Sequence, residues 1–136
     1  MIQIADNNHM LTRFVIYGAA GCLMEVFWTG LGSLIKKNFK LISTTSVWMF
    51  FIYGMAIAME PVLETLSHSP IILRGSIYML CIFAIEYVTG FVLKCYNLCP
   101  WDYSDNKWNI NGVIRLDFAP LWFIVGLIFE RIYFMF

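Results

Sequence analysis

Apolar residues fall into four long runs separated by polar joints, and each run approaches the ~20 residues that a helix needs to cross a hydrocarbon core. The runs cover about 14–35, 46–63, 71–93 and 118–136. Their punctuation is that of helix ends: Lys36-Lys37-Asn38 follows the first, Ser67-His68-Ser69-Pro70 precedes the third, and Ala119-Pro120 opens the fourth. One connection is long, from about Lys94 to Asp117, and mixes aromatic with polar residues, among them Trp101, Asp102, Tyr103, Ser104 and Asn109. A connection of that length in a small chain is usually functional or a lid. The pattern predicts an all-α polytopic membrane protein, a single transmembrane domain over 1–136, with four transmembrane helices and a long loop before the last.

Helical spacing then assigns faces. In the first run Gly18, Gly21, Cys22, Glu25, Thr29 and Gly32 recur every three or four residues and share one side, leaving Phe14, Phe27, Leu31 and Leu34 for the lipid. The corresponding rows are Gly75, Met79, Ile82, Glu86, Thr89 and Gly90 in the third run and Trp122, Gly126 and Glu130 in the fourth. Three helices are thereby expected to aim a carboxylate inward. An ionised acid at bilayer depth costs about 2.5–3.5 kcal/mol on insertion scales and is by default a candidate site.

The candidate substrate- or ion-binding residues are therefore Glu25, Glu86, Glu130 and Glu60, the last directly before Pro61. Proline lacks an N–H and frees carbonyl oxygens in the preceding turn, and a carboxylate beside broken helix makes a cation-facing oxygen cluster. The plainer alternative is that Glu60 and Glu64 reach the headgroups from a helix end. Two readings also stand for Glu25 and Glu86: exchange of a proton against a cation, or a tie between helices with Arg13, Arg74 or Arg131 as charge partner. In the long loop, Trp101, Tyr103 and Trp108 suit an interfacial segment or lid. Asp102 and Ser104 either contact a substrate or only shape the loop. Glu25-Val26-Phe27-Trp28-Thr29-Gly30 also echoes Glu86-Tyr87-Val88-Thr89-Gly90 with one residue dropped, which would make the helices two related hairpins with a site between them.

Composition supports this picture, with 60% apolar, 18% aromatic and only 13% charged residues. Nine basic and nine acidic side chains cancel, which excludes the clustered positive charge of a nucleic-acid binder. Polar residues precede the first run and no small-residue cleavage site ends it, so it is expected to stay in the mature protein. The side holding the termini and middle loop carries Arg13, Arg74 and Arg131, against Lys36, Lys37, Lys40, Lys94, Lys107 and Arg115 on the other, which predicts termini outside. Cys95 and Cys99 are the only close cysteine pair and lack a second pair or a neighbouring histidine, short of a zinc signature. No phosphate loop, nucleophile elbow or dinucleotide fingerprint is present, so no cofactor is expected and a conventional enzyme is disfavoured.

The runs GCLMEVFW, SVWMFFIYG, EYVTGFVL, CPWDYS and NINGVIRL, in this order, resemble the small membrane-protein family labelled ABC-transporter type IV, or CmpB-like, over nearly the whole chain. The likeness is strongest to its vertebrate relatives, the transmembrane protein 229 group. The matching positions are Glu25, Trp48, Tyr53, Gly54, Glu86, Gly90, Trp101, Asp102, Tyr103, Ser104, Asn109, Gly112 and Trp122. Ile42–Trp48 departs from the Gly/Pro-rich stretch of many bacterial members. The resemblance implies a transport component, although the chain has no ATP-binding motif of its own.

Three functions compete at this point. The first is a permease-like component, embedded in the lipid bilayer as a homo-oligomer or with a partner membrane subunit, in which the glutamates handle a cation or a proton-coupled small solute. The second is a structural or accessory membrane subunit. The third is an intramembrane enzyme acting on lipid, whose oxygen ligands would suit Mg²⁺, Ca²⁺ or Mn²⁺.

Overall fold

The computed structural model describes residues 2–136, with side chains from Asn8 onward. Its elements are helix α1 (Ile2–Ile35), α2 (Val47–Gly54), a 3₁₀ stretch (Met55–Met59), α3 (Glu60–Thr65), α4 (Ile71–Cys95), a small hairpin of β1 (Asn109–Ile110) and β2 (Ile114–Arg115), a 3₁₀ turn (Leu116–Phe118) and α5 (Ala119–Met135). Among the described residues, four helical stretches are long and apolar enough to cross a membrane: Asn8–Ile35, Val47–Thr65, Ile71–Cys95 and Leu116–Met135. The first helix begins well before Phe14, because no glycine or proline interrupts the polar residues ahead of the apolar run. Hydropathy marks the membrane-embedded part of a helix and not its end.

The second span is broken where Pro61 predicts it. Proline at 61 has no N–H for the Ile57 carbonyl, and the turn immediately upstream tightens into the 3₁₀ stretch Met55–Met59 before α3 resumes.

The chain divides into two compact units, one ending at Ile57 and the other spanning Ala58–Phe136. In the first, α1 packs against α2 through glycines. A Cβ on Gly18 would lie 2.6 Å from the Phe50 carbonyl oxygen, one on Gly21 would run into the Tyr53 ring, and one on Gly54 would meet the Phe14 ring at 2.7 Å. Phe14 therefore departs from its expected lipid-facing place. Gly54 leaves a socket that its ring enters, with Phe50 edge-on at 6.3 Å. Between the helices, Leu41–Ser46 is not helical and runs back along α1. Its backbone polar groups need partners in an apolar medium. Ser33 and Thr29, one turn apart, supply them: the Ser33 hydroxyl donates to the Ile42 carbonyl at 2.5 Å and Thr29 Oγ1 accepts from the Thr44 amide at 3.4 Å. Ser46 then caps α2 by accepting from the Trp48 amide at 3.3 Å.

In the second unit α4 and α5 run antiparallel, with Phe123 over Gly75 and Tyr78 over Gly126. The buried face of α4 is Gly75, Tyr78, Ile82, Phe83, Glu86, Gly90 and Leu93, against Trp122, Val125, Gly126 and Phe129 of α5. Tyr78, absent from the expected row, is fully buried, while Met79 is only half-buried. The missing Cβ of Gly126 makes the room that selects the tyrosine.

Candidate functional site: the span carboxylates and the capping loop

Glu25 lies on the side of α1 that faces Leu41–Ser46 and α2. The Tyr53 ring rests across Gly21, and since helical side chains lean toward their own N-terminus, its hydroxyl arrives one turn along α1 at Glu25. Thr45 of the extended segment hydrogen-bonds the same carboxyl group. The Oε2 atom of Glu25 is buried with no hydrogen-bond partner. Arg13, an expected charge partner, is twelve residues away on the same helix, about 18 Å at 1.5 Å per residue.

Glu130 has different company. The Tyr78 hydroxyl donates to its Oε2, and Arg74 Nε stands 3.2 Å from the same oxygen. The guanidinium is fixed from its other side, where Nη1 donates to the Ser69 carbonyl at 3.0 Å. Nearby, the Tyr133 hydroxyl donates to Glu64 at 3.3 Å, a tie between α5 and α3. Of the three arginines expected as partners, Arg74 thus meets Glu130, while Arg131 is exposed on α5.

Glu86 is the one charged side chain in the described core, with 7% of its surface exposed. One turn further along α4 is Gly90, where a Cβ would lie 2.8 Å from Trp101 and 3.1 Å from Val113. That glycine is the seat of the long loop. Trp101 Nε1 donates to the Val113 carbonyl at 2.9 Å, Lys94 Nζ to the Asn111 carbonyl at 2.9 Å, and Asn111 Nδ2 to the Tyr87 hydroxyl at 2.8 Å. The loop is therefore latched to α4 at Tyr87, Gly90 and Lys94. On α5, one turn before Gly126, Trp122 is buried and its Nε1 has no hydrogen-bond partner.

Within the loop the expected polar residues mostly hold one another. Asp102 Oδ1 accepts from the Ser104 amide at 3.0 Å and from the Ser104 hydroxyl, and both residues are exposed. Asn109 accepts from the Gly112 amide at 2.9 Å and donates to the Ser104 and Asn106 carbonyls. Tyr103 packs edge-on against Phe118 at 5.8 Å, with the Arg115 guanidinium over both rings. Asn111 and Gly112 have φ of 53° and 70°, the left-handed pair that a tight hairpin needs. Glu60 is half-buried in the first turn of α3 beside Pro61. Among the described residues, no three His, Cys, Asp or Glu side chains come together as a metal cluster would require.

Hydrogen bonds from Ser104 hold the Asp102 carboxyl below its ordinary value of 3.8. A depressed folded-state value means that the contribution is complete above 3.8 and is lost as pH falls through the lower, folded value. Ser104→Ala is expected to return Asp102 toward 3.8, read from its side-chain carboxyl resonance in an NMR titration. An unchanged titration would show that another group sets it.

Sequence reasoning missed Thr45, Tyr78, Tyr87, Lys94 and Val113 as parts of these arrangements. Asn111-Gly112 between Ile110 and Val113 was a readable hairpin signal. The tyrosines and Thr45 act from neighbouring segments and carry no local signature.

Four membrane-length apolar helices, a buried mid-span carboxylate and a latched polar loop define a multi-pass integral membrane protein. The family model described as "Putative ABC-transporter type IV" matches residues 12–136, and the chain belongs to that family of transporter-related membrane proteins. No solved structure matches the chain.

Proposed function

We propose that the protein is a permease-like transport component in which Glu86 and Glu25 handle a cation or a proton-coupled small solute. The observation that carries this reading is Glu86, a carboxylate buried in the apolar span α4 one turn from the glycine on which the loop closes. Burying an acid is costly and an apolar residue would pack there more cheaply, so its presence fits a group that changes partner or protonation during a cycle. The unpartnered Trp122 Nε1 adds a buried donor on the facing helix, suited to a polar occupant. The loop, held to α4 by two hydrogen bonds at its rim, is a lid in this reading.

The wild-type chain in sealed vesicles is expected to move protons or alkali cations down an imposed gradient, followed with a lumenal pH dye and NaCl or KCl gradients. Glu86→Gln is expected to lower that flux at least tenfold, and wild-type vesicles no leakier than protein-free ones would sink the reading.

An accessory-subunit role is the second reading. Its support is the Arg74–Glu130 pair, a charged tie whose evident effect is to hold helices together. Since four helices enclose little volume, we further place the protein in a homo-oligomer or beside a partner membrane subunit. The basic residues on the 36–40 and 94–115 connections favour termini outside, and Ile42–Trp48 supports a narrower kinship with the transmembrane protein 229 group.

A further inference from the structure

Two tyrosine–carboxylate contacts in this molecule are built alike and completed differently. On α1 Gly21 precedes Glu25 by four residues, and on α5 Gly126 precedes Glu130 by four. In each case a tyrosine from the facing helix lies where the glycine has no Cβ, and its hydroxyl meets the carboxyl group one turn on: Tyr53 at Glu25, Tyr78 at Glu130. The positive group is what differs. Glu130 has the Arg74 guanidinium at 3.2 Å. Glu25 has the Thr45 hydroxyl instead, and its Oε2 is buried with no hydrogen-bond partner.

No basic side chain of its unit is placed to fill that position. Arg13 is about 18 Å along α1 in one direction, and Lys36, Lys37 and Lys40 begin about 16 Å away in the other. A buried carboxylate oxygen without a donor is costly. A proton on Oε2 would not relieve this, because the new O–H would itself be a buried donor in need of an acceptor. A cation does relieve it. The ligands are oxygen: carboxylate, the Thr45 hydroxyl, which keeps a lone pair while it hydrogen-bonds Glu25 and the Cys22 thiol, and the Tyr53 hydroxyl. Thr45 also stands on non-helical backbone, the setting in which transporters coordinate alkali ions. One carboxylate neutralises one monovalent charge, whereas a divalent ion would leave a net positive charge in apolar surroundings.

We propose that Glu25, Thr45 and Tyr53 form a binding site for an alkali-metal cation, which takes at Glu25 the place that the Arg74 guanidinium takes at Glu130. The proposal names the substrate class for one of the two carboxylates in the transport reading and rests on that reading only for what the bound ion then does.

The test is equilibrium binding of radioactive sodium, and separately rubidium, to the purified full chain in detergent, with choline chloride holding ionic strength. Saturable binding of one of these ions is expected. Thr45→Val, which keeps the side-chain shape and removes one oxygen, is expected to weaken it at least tenfold, and Glu25→Gln to abolish it while the far-UV spectrum stays helical. Absence of saturable binding by the wild type, or its survival in Glu25→Gln, overturns the proposal. Binding without any vesicle flux would sink the transport reading and leave the site standing; Glu86-dependent flux without alkali-ion binding would do the reverse.

Discussion

Arg74→Met is expected to lower the unfolding free energy of the second unit by about 3–5 kcal/mol, the range for removing one member of a largely desolvated ion pair. The side chains of Arg74 and Glu130 are 21% and 14% exposed, so water screens their attraction little. Without the guanidinium, Glu130 keeps the Tyr78 hydroxyl but loses its compensating charge. The damage is the stranded acid and not the loss of a favourable contact, and a second substitution separates the two. Arg74→Met with Glu130→Leu removes both charges and is expected to recover most of the loss. Reversible unfolding in mixed micelles with increasing SDS, followed by circular dichroism, reads all three chains. A single variant within about 1 kcal/mol of wild type would mean that lipid headgroups, and not Glu130, neutralise Arg74.

Gly21→Leu carries the second large effect, an expected loss of about 1–3 kcal/mol or more from overpacking. The Tyr53 ring occupies the space that any side chain at 21 would need, and the Phe50 carbonyl would stand 2.6 Å from a Cβ at Gly18, so α2 cannot slide along α1 to relieve the clash. The same substitution should displace the Tyr53 hydroxyl from Glu25. Gly32 is the control, because a Cβ there meets nothing within 4 Å, and Gly32→Ala is expected to stay within about 0.5 kcal/mol. Equal effects at the two glycines would mean that glycine acts through helix propensity and not through close approach.

The spans were legible because crossing a bilayer demands a run of apolar residues, a constraint written locally. Pro61 was legible for a similar reason, since its missing N–H acts on its own turn. Glu86 could be placed on an inner face from α4 periodicity alone. What stayed hidden depended on register between segments. Arg74 could be named as a charge partner, but for Glu25 or Glu86; that it meets Glu130 instead depends on the register of α4 against α5, and Gly126 sets that by admitting Tyr78. Periodicity also sends Phe14 to the lipid, since a socket made by an absent side chain at Gly54 leaves no trace in α1. The polar loop residues looked like ligands because Asp, Ser and Asn serve both as ligands and as turn builders; Asp102, Ser104 and Asn109 spend their hydrogen bonds on the loop itself.

The hydroxyl pairing of Ser33 and Thr29 with the Leu41–Ser46 segment also bears on the order in which a ribosome delivers the chain to the membrane. Leu41–Ser46 emerges directly after the helix that satisfies its backbone, so it never has to wait at depth for a partner. Arg74 has the opposite history: its acid is fifty-six residues downstream and leaves the tunnel well after it. Its position in the first turn of α4 solves the problem of the interval, because a side chain that close to a helix end can rest in the headgroups until α5 arrives. A shift of Arg74 two turns deeper would thus tax biogenesis before it taxed the finished fold.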